Sequence, residues 1–315
     1  MITTFLIERS GVNSTFQDKG RFGLQHLGVV ACGSMDSFLS ELANRLVGNN
    51  LNQPLIEFAY QGPRIKLVSG KAHISVTGNI KFEIIKKNNE IINGIPNTSF
   101  NLDEGDILDV IATTRSIYGY LAVEGNFDLK KIKNSFSTLL KAKIGPNKGE
   151  KLSINQKINL NSSMNNNNNK ISLDFEEKVN SIRVLPGKQV NYFSEKSLKD
   201  FYSKKYKITN NTDRMGARLT GDRLRHIGSF NIPSEGISKG SIQVPGDGQP
   251  IVLLNDHPTI GGYPKIAHII TADYDKFIQK QPGSEIKFKE VDIIEAEKAF
   301  MEYLEYKEKK FSSFK

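Results

Sequence analysis

Apolar runs in this chain are short, and turn-forming residues interrupt them again and again. Between positions 68 and 77, Ala72, Ile74 and Val76 alternate with polar neighbours and stop at Gly78-Asn79. Residues 81–86 alternate less cleanly and lead into Asn88-Asn89, a hairpin-turn signal. Segments 107–111 and 118–123 follow, with Glu104-Gly105-Asp106 and Glu124-Gly125-Asn126 as their turns. Segments 182–185, 241–244, 251–254, 266–270 and 285–289 continue the pattern. Strands this short, without a regular helix after each, favour barrels or sandwiches over a doubly wound sheet. The fold class expected is therefore mainly β.

Three segments carry helical spacing against that background. Asp36 is placed to cap a helix whose apolar face is Phe38, Leu39, Leu42, Ala43, Leu46 and Val47, ending at Gly48. Ser194 is placed to cap a second, with Phe193 and Leu198 spaced as a hydrophobic staple. A third runs over about 292–309, with Ile293, Ala296, Phe300, Tyr303 and Leu304 on one side.

At 315 residues the chain exceeds the roughly 100–200 of a single domain, so two domains are expected. The boundaries read as an N-terminal β domain over 1–158, a linker or loop over 159–172, a β-barrel over 173–290 and a terminal helix over 291–315. The linker holds five consecutive asparagines, Asn165 to Asn169, which bury no apolar area and are expected in an exposed loop. No run approaches the roughly 18 apolar residues of a membrane span. The start lacks a basic segment before an apolar one, and the lone Cys32 allows no internal disulfide, so a cytoplasmic location is expected. The formal charge of +9 comes from lysines spread over both halves. No aromatic-interleaved basic stripe accompanies them, which argues against nucleic acid and leaves weak steering of an acidic partner or anionic substrate.

Several chemistries lack their signatures. There is no Gly-x-x-x-x-Gly-Lys-Ser/Thr phosphate loop, no Gly-x-Ser-x-Gly elbow and no metal-ligand spacing among the five histidines. Cys32 reads as incidental. What remains is a dense polar stretch, Gly240 to Pro250, closed by Thr259-Ile260-Gly261-Gly262-Tyr263-Pro264. Gln17, Gln243 and Gln249 carry the donors and acceptors that match a ureido or lactam edge. Arg21, Arg214 and Arg218 suit a carboxylate or phosphoryl oxygens. Gly261 and Gly262 let backbone amides approach an oxyanion, Tyr263 can stack or donate, and Asp247 completes the loop's polar set. Each has a plain structural reading beside this one: Gln17 and Asp18 as turn caps, Arg21 paired with Asp18, Arg214 and Arg218 in surface ion pairs, and the 245–264 loop as turn-making.

The motifs Thr15-Phe16-Gln17-Asp18-Lys19-Gly20-Arg21, His26-Leu27-Gly28-Val29, Gly33-Ser34-Met35-Asp36, Asp213-Arg214-Met215-Gly216 and the 240–264 loop resemble the family of 5-oxoprolinase C subunits. That family, also called KipA-like or allophanate hydrolase subunit 2, is related to the carboxyltransferase region of urea carboxylase. The resemblance implies a pair of cyclophilin-like β-barrels. It implies a subunit that joins a KipI-like B subunit and an A subunit to open 5-oxoproline, a small lactam, to glutamate with ATP. The chain itself would bind no cofactor and be inactive alone. Two alternatives come with it: a KipA-type regulator that antagonises a sensor-kinase inhibitor, and a carboxyltransferase moving a carboxyl group from carboxybiotin, the carboxylated form of biotin, to a urea-like substrate. Two positions depart from the family pattern, Tyr118 and Phe136, each standing where arginine is usual.

Overall fold

The computed structural model describes residues 2–161, 169–171 and 181–312. The chain divides into two compact units. Met1–Arg21, Cys32–Phe175 and Lys309–Lys315 form the first; Phe22–Ala31 and Glu176–Glu308 form the second. The expected boundary at 158 falls within the first unit, and a ten-residue segment of the N-terminal half, Phe22–Ala31, groups with the later unit.

The first unit contains β1 (Thr3–Arg9), β2 (Thr15–Gln17), α1 (Ser37–Leu46), β3 (Leu55–Ala59), β4 (Arg64–Ser69), β5 (Lys71–Thr77), β6 (Ile80–Ile85), β7 (Ile91–Asn93), β8 (Thr98–Asp103), β9 (Ile107–Thr113), β10 (Tyr118–Val123), β11 (Asn126–Phe127) and β12 (Lys157–Asn161). Seven strands form one sheet in the order β11-β12-β1-β4-β9-β6-β7, and five form a second, β2-β3-β10-β5-β8. Phe5, Ile7, Leu67, Phe82 and Leu108 from the first sheet share one buried core with Phe16, Phe58, Ile74, Val76 and Leu121 from the second. Fully burying each such side chain contributes about 1.5–3 kcal/mol. The chain changes sheets at Gly70, whose φ is 83° and where a Cβ would lie 2.4 Å from Thr3 Oγ1. That corner divides the continuous 68–77 run expected from the alternation.

The second sheet is buried on both faces because α1 covers its outer side. Along β5, Ile74 and Val76 face the core, while Ser75 Oγ and Thr77 Oγ1 donate to the Ala43 and Leu39 carbonyls of α1 at 2.7 and 2.8 Å. Two-sided burial explains why β3 and β10 are buried along their whole length. The expected cap is in place: Asp36 Oδ1 accepts from Leu39 N at 2.9 Å. Asp36 N donates to Tyr120 Oη and Met35 N to Glu57 Oε2, both at 2.7 Å. Burial, with the Glu57 and Asp36 carboxylates beside it, pushes the Tyr120 phenol well above its usual range.

The 159–172 linker is also revised at both described ends. Asn159 and Leu160 belong to β12 and pair with β1. Asn169 N donates to Ser99 Oγ at 3.0 Å and Asn169 Nδ2 to the Leu46 carbonyl at 2.8 Å, so its side-chain amide finishes the C-terminus of α1. The rest of the asparagine tract lies outside the described residues.

The second unit contains β13 (Ser181–Pro186), α2 (Glu195–Ser203), β14 (Tyr206–Thr212), β15 (Gly216–Thr220), β16 (Glu235–Gly236), β17 (Ser241–Gln243), β18 (Ile251–Leu253), β19 (Ile260–Gly261), β20 (Lys265–Ile269), α3 (Thr271–Ile278), β21 (Glu285–Glu290) and α4 (Ile293–Ser312) as far as Glu308. Seven of these strands close a barrel in the order β13-β20-β17-β18-β15-β14-β21. Parallel pairing of β13 with β21, Ile182 opposite Phe288, completes the ring. The two-barrel expectation thus takes different forms, a closed ring here and two sheets about one core in the first unit. Ser194 caps α2 as expected, its Oγ accepting from Ser197 N. Phe201 of α2 stacks on Phe288 of β21 with ring centroids 4.7 Å apart.

Helix α3 has no counterpart among the three helical segments expected from spacing. It has no side-chain cap and spans only eight residues, too few for periodicity to stand out. Its position is set by Asp273, which is 2% exposed and accepts from Arg183 Nε (2.9 Å), Nη2 (2.7 Å) and backbone N (2.9 Å). Burial alone would raise the Asp273 carboxyl, but the Arg183 donors overrule it and hold the carboxyl below the usual range. Helix α4 packs Ala296 and Ala299 against Ile270, Ala272 and Val291. Two substitutions test this packing by urea denaturation. Phe288→Ala is expected to cost about 3–5 kcal/mol, a stacked aromatic lost from a closed core. Asp273→Ala is expected to cost about 3 kcal/mol, the lower end for a broken buried pair because Arg183 keeps contact with water.

Candidate functional site

In the second unit a cavity of about 200 Å³ opens beside the wall made by β13, β17 and β20. It is lined by Pro186, Gly187 and Lys188 after β13, by Gly236, Ile237 and Ser238 from β16 and the turn beyond it, by Ser241 of β17, and by Lys265, Ala267 and His268 of β20. Such a volume corresponds to the liquid volume of roughly six or seven waters, a space for a metabolite rather than a drug-sized ligand.

The polar lining falls into two groups. At one end are Lys188 and Lys265, which together with Gln189 hold Glu235, the neighbour of the lining residue Gly236. Lys265 Nζ and Gln189 Nε2 (2.8 Å) donate to its Oε1, and Lys188 Nζ lies 3.2 Å from its Oε2. The Lys265 side chain is 12% exposed, against 77% for Lys188. These hydrogen bonds, Lys265 first, lower the Glu235 carboxyl to about 2. At the other end Ser241 Oγ shares a hydrogen bond with His268 Nδ1 at 3.2 Å, and Ser238 Oγ lies 3.4 Å from Ser241 Oγ. Burial pushes the His268 imidazole below its usual range, so it is neutral at pH 7 and can donate or accept according to its tautomer. Together these groups offer an ammonium, two hydroxyls and a neutral imidazole, a donor set for a small anion that also carries an amide.

The residues singled out from the sequence divide around this cavity. Gln243, 5% exposed, sits on β17 two residues from Ser241, and its Nε2 reaches the Tyr263 carbonyl at 3.4 Å. A Cβ on Gly261 would lie 2.7 Å from that Nε2 and 3.0 Å from Ile237 Cδ1, so Gln243, Gly261 and the lining residue Ile237 share one wall. Gly262 accepts from Ile232 N through its carbonyl, and the Tyr263 side chain is 40% exposed. Asp247 Oδ1 accepts from Gln249 N, a turn cap. Gln249 is a backbone latch, its Oε1 accepting from Gly221 N at 2.9 Å and its Nε2 donating to the Gly221 carbonyl at 3.2 Å. Arg214 makes a two-point pair with Asp256, Nε and Nη2 each 2.9 Å from a carboxylate oxygen. Arg218 points outward from β15 and is exposed.

Gln17 and Arg21 belong to the first unit and make their hydrogen bonds there, while Gln17 Oε1 and Arg21 Nε are buried without a partner among the described residues. Gln17 Nε2 donates to Thr15 Oγ1 and the Thr138 carbonyl. Arg21, 1% exposed, donates to the Ser137 carbonyl and to Cys32 Sγ rather than to Asp18. Asp18 instead gathers Gly20 N, Phe136 N, Ser135 Oγ and Ser137 Oγ at 2.5–2.8 Å. These motif residues hold the 135–138 loop to β2. The two departures from the family pattern, Tyr118 and Phe136, are both buried, with Lys131 Nζ 5.3 Å from the Phe136 ring centroid.

Relatives of the chain share this architecture. A family model, carboxyltransferase domain, subdomain A and B, matches residues 27–290. The chain belongs to the carboxyltransferase-domain family. Within that family it is 34% identical to the 5-oxoprolinase C subunit of Haemophilus influenzae over 287 residues, which is 90% of both chains. It is 32% identical to the 5-oxoprolinase C subunit of Escherichia coli over 300 residues, 95% of both. Among solved structures, the K. lactis urea amidolyase matches 99% of this chain with a TM-score of 0.87 and 26% identity, and the chain spans 20% of that protein's length. No helix among the described residues is long and apolar enough to cross a membrane.

The carboxyltransferase-domain cavity gives a direct pH test. Because the Glu235 carboxyl falls from an ordinary 4.5 to about 2 on folding, its contribution to stability is fully present above 4.5. That contribution is lost as the pH drops through 2. Carbon-detected NMR of the side-chain carboxyl is expected to give a midpoint near 2, moving up toward 4.5 in Lys265→Met. A wild-type midpoint near 4.5 would remove the ion pair from the account.

Proposed function

We propose that this chain is the C subunit of a 5-oxoprolinase, binding the small lactam in the second-unit cavity while partner subunits supply the nucleotide chemistry. The observation that carries the reading is identity of 34% and 32% to two proteins named as the C subunit of 5-oxoprolinase, over nine-tenths or more of each chain. Both names denote a subunit, in keeping with assembly with KipI-like B and A subunits. The cavity agrees in size and polarity with 5-oxoproline, which has one carboxylate and one lactam amide on a five-membered ring.

A lactam carbonyl is a poor electrophile, so opening it needs activation of the carbonyl oxygen and stabilisation of the charge that builds there. ATP supplies the activation in the assembled enzyme. The residues of this cavity do not fit a nucleotide: the sequence has no phosphate loop and about 200 Å³ is too small, so no ATP step is assigned to this chain. Its own part is to bind and orient the ring and to present neutral donors, Ser238, Ser241 and His268, to the amide. Transfer of a carboxyl group from carboxybiotin to a urea-like substrate, leaving biotin, is the second reading, favoured by the fold shared with the urea amidolyase. A ureido edge would use the same hydroxyl and imidazole groups.

Reconstitution separates these readings. The chain is mixed with candidate A and B subunits and glutamate formed from 5-oxoproline and ATP is measured. Turnover is expected only when all subunits are present. Full turnover by the chain alone would refute the division of labour. No turnover by the complete set, with relief of a kinase inhibitor by this chain, would replace the proposal with the regulatory role.

A further inference from the structure

We infer that Lys265 is the receptor for a ligand carboxylate and that Glu235 is an internal stand-in, occupying the receptor until the ligand displaces it. The inference rests on the reading of the cavity as a lactam site and names the residue that recognises the acid group of its substrate.

Three observations lead there. First, the donors and the acceptor sit on elements of different kinds. Lys265 is in the barrel strand β20, and Lys188 and Gln189 follow the barrel strand β13 directly, with Gln189 Oε1 accepting from Lys265 N at 3.3 Å. Glu235 sits outside the ring on β16, whose only strand partner among the described residues is the two-residue β19, pairing Glu235 with Gly261 and Gly236 with Ile260. A carboxylate on such a short ribbon can leave without opening the barrel. Second, the donors that hold Glu235 form a carboxylate site that is already built. One oxygen faces Lys265 and Gln189 and the other faces Lys188. An incoming carboxylate would find the same three donors already placed, its cost being the displacement of Glu235. Third, Lys265 also lines the cavity, and its side chain is only 12% exposed. A largely buried ammonium must stay paired, so removal of Glu235 requires another anion in its place. A ring carrying a carboxylate meets that condition. A neutral amide does not.

The exchange separates two kinds of ligand. 5-Oxoproline would put its carboxylate on Lys265 and its amide toward Ser238, Ser241 and His268. 2-Pyrrolidinone, the same lactam without the acid group, would leave Glu235 where it is.

The test is calorimetry of the full chain, alone and assembled with its partner subunits, with both lactams as probes and circular dichroism to confirm folding. Glu235→Gln keeps the shape but weakens the internal competitor, so 5-oxoproline is expected to bind about tenfold more tightly while 2-pyrrolidinone is unchanged. Lys265→Met is expected to weaken 5-oxoproline ten- to a hundredfold. In the unaltered protein, saturation with 5-oxoproline should move the Glu235 carboxyl from about 2 toward its ordinary value, a readout that needs no variant. Weaker or unchanged binding in Glu235→Gln, equal tightening for both lactams, a stationary Glu235 titration, or no binding in either preparation would overturn the exchange. Turnover by the assembled enzyme with an unchanged KM in both variants would overturn it too while leaving the proposed function standing.

Discussion

An ammonium in the wall of a closed barrel cannot be left without negative charge beside it, and the second unit is organised around that requirement. Lys265 is 12% exposed, and Glu235 answers it from a separate two-residue ribbon. Desolvating two charges is costly, and their attraction offsets the cost only when the remaining lone pairs and protons are also satisfied. Gln189 and Lys188 do this for Glu235. The pair is therefore stable where it stands, yet the carboxylate is the one member that does not belong to the barrel. That asymmetry gives the cavity both a fixed cationic wall and a replaceable anion.

Elsewhere in the molecule, buried polar groups are used to fix structure. Arg183 and Asp273 hold α3 on the barrel, and Arg214 and Asp256 tie the turn before β15 to the segment after β18. In the first unit Asp18 collects four donors, and Arg21 reaches a carbonyl and a thiol. These networks join parts of each unit that are distant in sequence, as buried hydrogen-bonded charges do when their partners are complete. The Glu235 cluster adjoins a cavity.

Much of the fold is legible in residues whose local chemistry leaves few options. Asp36 and Ser194 sit at helix starts because their side-chain oxygens satisfy the first-turn amides, and both caps are found. The 107–113 and 118–123 strands follow from apolar runs between glycine turns. Helix α3 is hidden because what places it is Arg183, ninety residues earlier in the chain. The division of the first unit into two sheets is hidden in the same way, in a corner at Gly70 that one glycine does not announce. The site is partly legible. Gln243 and Gly261 lead to the cavity wall, but Lys265, two residues after Tyr263, is absorbed into a general surplus of lysines that reads as solvated surface. Neither Arg214 nor Gln249 carries a mark in the sequence showing that it faces Asp256 or Gly221 and not a ligand.

Membership of the carboxyltransferase-domain family and similarity to two 5-oxoprolinase C subunits give the cavity a chemical context, and the Lys265–Glu235 pair gives it a specificity. On the proposed reading, an acid-bearing lactam would satisfy both ends of the lining, and a neutral one only the hydroxyl and imidazole end. A crystal structure of the full chain grown with 5-oxoproline tests this most directly. The account predicts the ligand carboxylate within hydrogen-bond distance of Lys265 Nζ and Gln189 Nε2, with Glu235 turned away from both. A bound lactam with the Lys265–Glu235 pair intact, or a ligand seated outside this cavity, would contradict it.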